Sequence, residues 1–278
     1  MSYISTLYSA YCHLELVAIV IHQFASLSLE LNTFLESIME IMPNKAIPIF
    51  TYRLIIAVMY VYTGLDYFFH MDRTVKKSIL PYLGCYGFLT SWSAFSVTIY
   101  FILSSTNDFL QIINQLPKLT TAISKAMDIV FFPMVFTSAF FVTTMFWMVY
   151  FIDHTQILYK VVEELLDPTI NHMLHSLVAL VTFADLVLQP RKPMNLKLSV
   201  IMTNVFIIVY YVCFLVTGSL NGRYHYPIMN GKDVLTHAGI IIFMNIWWNL
   251  MHLVGYKFNE LIYEVDEDNK NYVDLKNL

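Results

Sequence analysis

Charge is what this sequence has least of. Only 13% of its 278 residues are Asp, Glu, Lys or Arg, while 58% are hydrophobic. Soluble domains typically carry about 25% charged residues, so the composition excludes an ordinary water-soluble domain. No cluster of Lys and Arg is present, which excludes nucleic acid as a partner. The three cysteines, Cys12, Cys85 and Cys213, are scattered, with no CxxC or other metal-ligand spacing. They read as small hydrophobes. Repeats and low-complexity tracts are absent. So is the alternation of polar and apolar residues over ~10-residue strands that a transmembrane β-barrel needs.

Long uncharged stretches are present instead. None of the four charged residue types occurs from Ser78 to Asn107, from Ile129 to Ile152, from Leu198 to Gly222 or from Val234 to Tyr256. About 20 residues suffice to cross a bilayer as a helix, and each stretch is longer. The expected fold is therefore an all-α, polytopic transmembrane helical bundle. Six core spans fall at 50–70, 81–104, 129–152, 169–190, 198–219 and 235–256, which group as one membrane domain over 49–256. Arg53 and Asp66 lie in the first span, near its ends, where long side chains can reach the interface.

Residues 1–48 form an N-terminal extension. Its stretch "CHLELVAIVIHQFASLSLEL" is helical in pattern, but only 14 residues separate Glu15 from Glu30. It is too short for a clear span and lacks the basic start of a signal peptide. An extra helix on or partly in the membrane is expected there. Residues 257–278 are a polar, acidic tail. Loops on the side of the C-terminus hold Lys45, Lys118, Lys125, Arg191, Lys192, Lys197, Lys257, Lys270 and Lys276; the opposite loops hold Arg73, Lys76, Lys77, Lys160, Arg223 and Lys232. That excess favours a cytoplasmic C-terminus, in an endomembrane or the plasma membrane.

One short stretch, "NHMLH" at 171–175, is out of keeping with its apolar surroundings. Pro168 suits the first turn of a helix. On that helix Asn171, His172, His175, Thr182, Asp185 and Gln189 share an arc of about 140°, taking about 100° per residue. In lipid such a stripe must face the protein interior or a wet cavity. Two readings stand: a reactive cavity, or a polar contact between helices. A metal site is a third, weaker reading. His172 and His175 are spaced i, i+3, but two ligands are too few, and Asp185 lies about 15 Å along the axis. No metal and no cofactor is expected.

The span 81–104 enters the membrane from the same face as the span 169–190. Thr90 and His175 lie about 13 and 10 Å past Pro81 and Pro168 at 1.5 Å per residue, so the two side chains can share a depth. A hydroxyl beside an imidazole is the nucleophile–base pair of acyl transfer. Alternatively the Thr90 hydroxyl bonds back to its own helix, with Ser91, Ser93 and Ser96 close by.

These residues resemble a known family, the androgen-induced and androgen-dependent tissue-factor-pathway-inhibitor-regulating proteins. The resemblance rests on "DPTINHMLH…ADLVLQPR", "DIVFFP…FWMVYFID", "TGSLNGRYHYPIM", "FMNIWWNLMHLVGYKFNELI", "FLT" at 88–90 and Asp108, over about 50–260. It implies an intramembrane threonine hydrolase that cleaves fatty acid esters of hydroxy fatty acids, with Thr90 as nucleophile and His175 as base. Asn171, His172 and Asp185 become auxiliary polar residues, and the partners are a lipid ester substrate and membrane lipids. A rival alignment would place the threonine at Thr51, but the helix containing Thr51 matches the family's first span. The chain departs from the family at Gly87 (a basic residue there), Ser93, Met127 and Lys160, and residues 1–48 have no counterpart. A non-enzymatic membrane regulator or scaffold of the same fold is the alternative, and a metal-dependent lipid enzyme a weaker one.

Overall fold

The structure, a computed structural model, describes residues 46–67, 72–78 and 80–276, with side chains as far as 263. The chain divides into two compact units, Met1–Pro48 and Ile49–Leu278. The helix expected within 1–48 falls outside the described residues, which begin at Ala46.

The described residues hold helices and no strands. α1 is Ala46–Asp66, and the short α2 is Asp72–Ser78. A 3-10 turn at Gly84–Gly87 leads into α3, Leu89–Ile112. α4, Pro117–Val130, passes through a π-helical turn at Phe131–Phe136 into α5, Thr137–Asp153. α6 is Lys160–Leu165. α7, Pro168–His172, passes through a second π-helical turn at Met173–Leu177 into α8, Val178–Leu188. α9 is Leu196–Asn221 and α10 is Val234–Lys276. The polar tail expected from residue 257 therefore continues the last helix.

Among the described residues, five helical runs are long and apolar enough to cross a membrane: Ala46–Asp66, Pro117–Gln156, Pro168–Leu188, Leu196–Asn221 and Val234–Tyr263. Their outer faces are apolar. On α9, Ile201, Val205, Ile208, Val212 and Val216 recur at helical spacing and all are exposed. In lipid such a face has the matching solvent on one side and a helix bundle on the other. The central run is Pro117–Gln156, two thirds of whose most apolar window is buried, against 17% for Val234–Tyr263.

The remaining expected span differs from the sequence reading. α3 has 24 residues, about 36 Å at 1.5 Å per residue, but it starts at Leu89 instead of Pro81. It is not among the most apolar helices because it packs Ser91, Ser93, Ser104, Ser105, Asn107 and Asp108 inward. The residues before it fold back as a turn whose Gly84, Cys85 and Gly87 are buried. Leu83 and Gly84 both have positive φ (61° and 48°). The Cys85 amide donates to Asp72 Oδ1 at 2.7 Å, and the Ser91 hydroxyl donates to the Cys85 carbonyl at 2.5 Å.

Arg53 is a second correction. It does not reach out to an interface but is fully buried. Its Nε meets Asp185 Oδ1 at 2.6 Å, and its Nη1 meets both Asp108 oxygens at 3.0 and 3.1 Å. Arg191 joins from the segment after α8, with Nη2 3.0 Å from Asp185 Oδ2. The Tyr100 hydroxyl bonds both Asp185 and Arg191. This cluster ties α1, α3 and α8 together at one end of the bundle. An isolated charge at that depth is costly; here each carboxylate faces a guanidinium. Arg191 is thus a core residue, not one of the loop charges that bear on topology.

Candidate active site

The other end of the same helices holds the NHMLH stretch. Asp167 caps α7 by accepting from the amides of Thr169 (2.7 Å) and Ile170 (3.4 Å). The Thr169 amide foremost holds the Asp167 carboxyl below the usual carboxylate range. One turn later the helix widens into the π-helical turn that contains His175. Such turns insert a residue and leave backbone groups displaced. Here side chains take them up: Trp147 Nε1 donates to the His175 carbonyl at 3.0 Å, and the Tyr60 hydroxyl to the Met173 carbonyl at 2.9 Å.

The turn divides the polar stripe read from an ideal helix. His175 and Asp185 are buried, Asn171 is half-buried and His172 is exposed. His172 stacks on Trp147 with ring centroids 5.5 Å apart and meets Ser176 Oγ at 3.2 Å. It is not in the cavity wall. Asp185 belongs to the Arg53 cluster. Among the described residues no three His, Cys, Asp or Glu side chains converge as metal ligands.

Thr90 and His175, expected to meet, are 3.1 Å apart, Oγ1 to Nε2. The other ring nitrogen settles the tautomer. His175 Nδ1 lies 3.1 Å from the Asn171 backbone carbonyl and 2.8 Å from Asn171 Oδ1. A backbone carbonyl can only accept, so Nδ1 carries the proton. Nε2 then presents a lone pair, and the Thr90 hydroxyl donates to it. Phe146 lies flat against the imidazole, centroids 3.6 Å apart and planes at 14°. The neighbouring hydroxyls are engaged elsewhere: Ser91 with the Cys85 carbonyl, Ser96 with the Trp92 carbonyl, and Ser93 with Ser138. Thr51 is exposed on α1.

The pair opens onto a cavity of about 360 Å³, within the ~300–1,000 Å³ range of small-molecule sites. Phe141, Val142, Met145, Tyr210, Phe214 and Met244 form much of its wall, beside Thr90, His175 and Tyr226. The Tyr211 hydroxyl in the same wall is buried and has no hydrogen-bond partner.

The comparison with known families falls on this same region. The model of the family described as FAR-17a/AIG1-like protein matches residues 49–260. The chain belongs to the FAR-17a/AIG1-like family. Similar curated proteins share the name androgen-dependent TFPI-regulating protein. The one from Mesocricetus auratus is 26% identical over 140 residues, 49% of this chain and 59% of that protein. The one from Homo sapiens is 22% identical over 200 residues, 71% of this chain and 86% of that protein. The match thus covers less than two thirds of the hamster relative's length. No solved structure matches this FAR-17a/AIG1-like chain.

Two features of the site were not visible in the sequence reading. The first is the aromatic support from Phe146, Trp147 and Tyr226, which pattern alone does not separate from ordinary packing. The second is what Gly87 accommodates. A Cβ there would lie 1.8 Å from His225 Nε2, so the absent side chain makes room for the His225 ring. Burial pushes the His225 imidazole down to about 4, so it is neutral near pH 7. Gly87→Ala should force that ring out and disturb the start of α3. The expected cost is ~1–3 kcal/mol, as for other overpacked cores. A thermal melt in detergent checks it, and an unchanged midpoint would show that the ring yields freely.

Proposed function

We propose that this protein is an intramembrane hydrolase of lipid esters, most specifically of fatty acid esters of hydroxy fatty acids. Thr90 is the nucleophile and His175 the general base. The observation that carries the reading is the 3.1 Å contact between Thr90 Oγ1 and the unprotonated His175 Nε2 at the wall of an apolar cavity. As Thr90 Oγ attacks the ester carbonyl, its proton passes to Nε2. The imidazolium that forms is held through Nδ1–H by Asn171. His175 then protonates the departing alcohol, and a water molecule, activated by the same nitrogen, frees the acid. The apolar wall suits fatty chains, and helices with lipid-facing outer surfaces suit a substrate that arrives from the bilayer.

Purified protein in vesicles should release fatty acid from an ester of a hydroxy fatty acid, and Thr90→Ala should not. Asn171→Ala should slow turnover by only about tenfold, less than the ~10²–10⁴-fold of general base catalysis, because the backbone carbonyl still holds Nδ1–H. A pH–rate profile follows this: the acidic limb, where His175 becomes protonated, should shift if Asn171 orients the imidazole and stay in place if it does not. The name of the curated relatives speaks of regulating TFPI, which favours a second reading as a non-enzymatic membrane regulator. That reading requires an intact wild-type protein with no esterase activity.

A further inference from the structure

We propose that the Tyr226 hydroxyl is the oxyanion donor of this site, held in place by the free amides at the start of α3. The proposal rests on the hydrolase reading and adds to it a catalytic residue.

α3 begins without a cap from its own N-cap residue: Phe88 has extended dihedrals (φ −85°, ψ 139°) and its side chain accepts nothing from the first turn. The first amides of a helix lack partners inside it and carry partial positive charge. The Leu89 amide donates to the Tyr226 hydroxyl oxygen at 3.0 Å. The Thr90 amide is directed at the same oxygen, and the Thr90 hydroxyl is within reach of it. The phenol oxygen is therefore an acceptor at the positive end of α3, and its own proton lies between the Tyr210 and Thr90 hydroxyl oxygens, beside the attacking atom. A hydroxyl that accepts hydrogen bonds becomes a better donor through cooperative polarisation.

Its position is built in. Pro227 follows and keeps Tyr226 extended (φ −100°, ψ 124°). The ring stands edge-on to Phe88 at 5.4 Å and lies by Phe214 at 5.9 Å. Tyr210, the neighbouring phenol, donates to the Gly87 carbonyl at 3.2 Å, so its own proton is used and its oxygen accepts the Tyr226 proton at rest. Tyr226 lines the same cavity as Thr90 and His175. When the Thr90 Oγ–carbon bond forms, the carbonyl π pair moves onto oxygen and the Thr90 proton moves to His175 Nε2. The Tyr226 O–H then turns from the Tyr210 oxygen and donates a hydrogen bond to the oxyanion, the stronger acceptor, without giving up its proton. Collapse restores the carbonyl, breaks the bond to the alkoxy oxygen and returns the His175 proton to the leaving alcohol.

Tyr226→Phe keeps the ring and removes the donor. Its kcat should fall about 10²–10³-fold, the usual cost of one oxyanion donor, with KM within about threefold. A thionoester, whose sulfur accepts hydrogen bonds poorly, separates chemistry from structure. The wild-type preference for the oxoester over the thionoester should shrink at least tenfold in Tyr226→Phe, a change that mere loosening of the fold would not produce. If Tyr226→Phe does not fold, fluorotyrosine at 226 keeps the donor and should retain kcat within a few-fold. Wild-type kcat in Tyr226→Phe, an unchanged oxo/thiono ratio, or loss of turnover in a folded fluorotyrosine protein overturns the oxyanion assignment while Thr90-dependent hydrolysis stands. Absence of Thr90-dependent hydrolysis in the wild-type protein overturns both readings together.

Discussion

Thr90→Ala should abolish ester hydrolysis, by about 10⁴-fold or more, and should lose covalent labelling by a fluorophosphonate. Its hydroxyl is the one placed 3.1 Å from His175 Nε2, whereas Ser91, Ser93 and Ser96 bond elsewhere. His175→Ala should be as inactive, because a threonine oxygen without its base is a weak nucleophile. Residues that act as a unit are not additive, so the double variant should be no worse than either single one. Thr90→Ser preserves the hydroxyl and should retain measurable turnover. His172→Ala should keep a large part of it, since that ring lies on Trp147 and outside the cavity wall. Turnover and probe labelling of purified, folded variants decide the matter. Undiminished labelling of Thr90→Ala would move the nucleophile to another residue.

Arg53→Ala should be the most destabilising single change at the far end of the bundle. It removes the guanidinium that meets both Asp108 oxygens and Asp185, and leaves Asp108 without that partner near Asp185, which keeps Arg191. Breaking a buried ion pair costs ~3–5 kcal/mol, a large fraction of the ~5–15 kcal/mol that typically holds a protein together. Arg53→Lys should rescue little, because an ammonium cannot bridge two carboxylates in the planar geometry of a guanidinium. Asp185→Asn should be milder, since Arg53 keeps Asp108. Asp185 is ten residues from His175, about 15 Å along the helix, so that variant should retain most turnover while its melting point falls. A melting midpoint of Arg53→Ala within about 2 °C of wild type would show the cluster to be worth little.

The pairing of Thr90 with His175 was legible as a matching of two helices entering from one face, but the route to it was not. The depth of Thr90 was read as nine residues of helix past Pro81. In the fold, Pro81–Gly87 is a turn with left-handed Leu83 and Gly84, and Thr90 sits in the first turn of α3. Its amide is therefore available at the site, a feature hidden while the helix was thought to start earlier. The stripe on 171–189 was read with one angle per residue throughout. The π-helical turn at Met173–Leu177 breaks that phase, which is why His172 faces outward and Asp185 joins a different cluster. Arg53 was assigned to the interface because a lone charge in a span ordinarily escapes to water. Its partners, Asp108 and Asp185, lie 55 and 132 residues away, and no local pattern announces them.

By itself the sequence determined the class of molecule: an integral membrane protein of helices, since uncharged stretches of this length have no other stable setting. It also determined which helix carries the polar residues, because side-chain polarity and helical spacing are local properties. Tertiary structure decided which partners those residues meet. It brought a threonine and a histidine 85 residues apart to 3.1 Å, fixed the histidine tautomer through Asn171, and set Tyr226 at the open end of α3. Those are contacts between distant segments, and their geometry depends on turns, a π-helical insertion and side-chain packing that composition and periodicity do not encode.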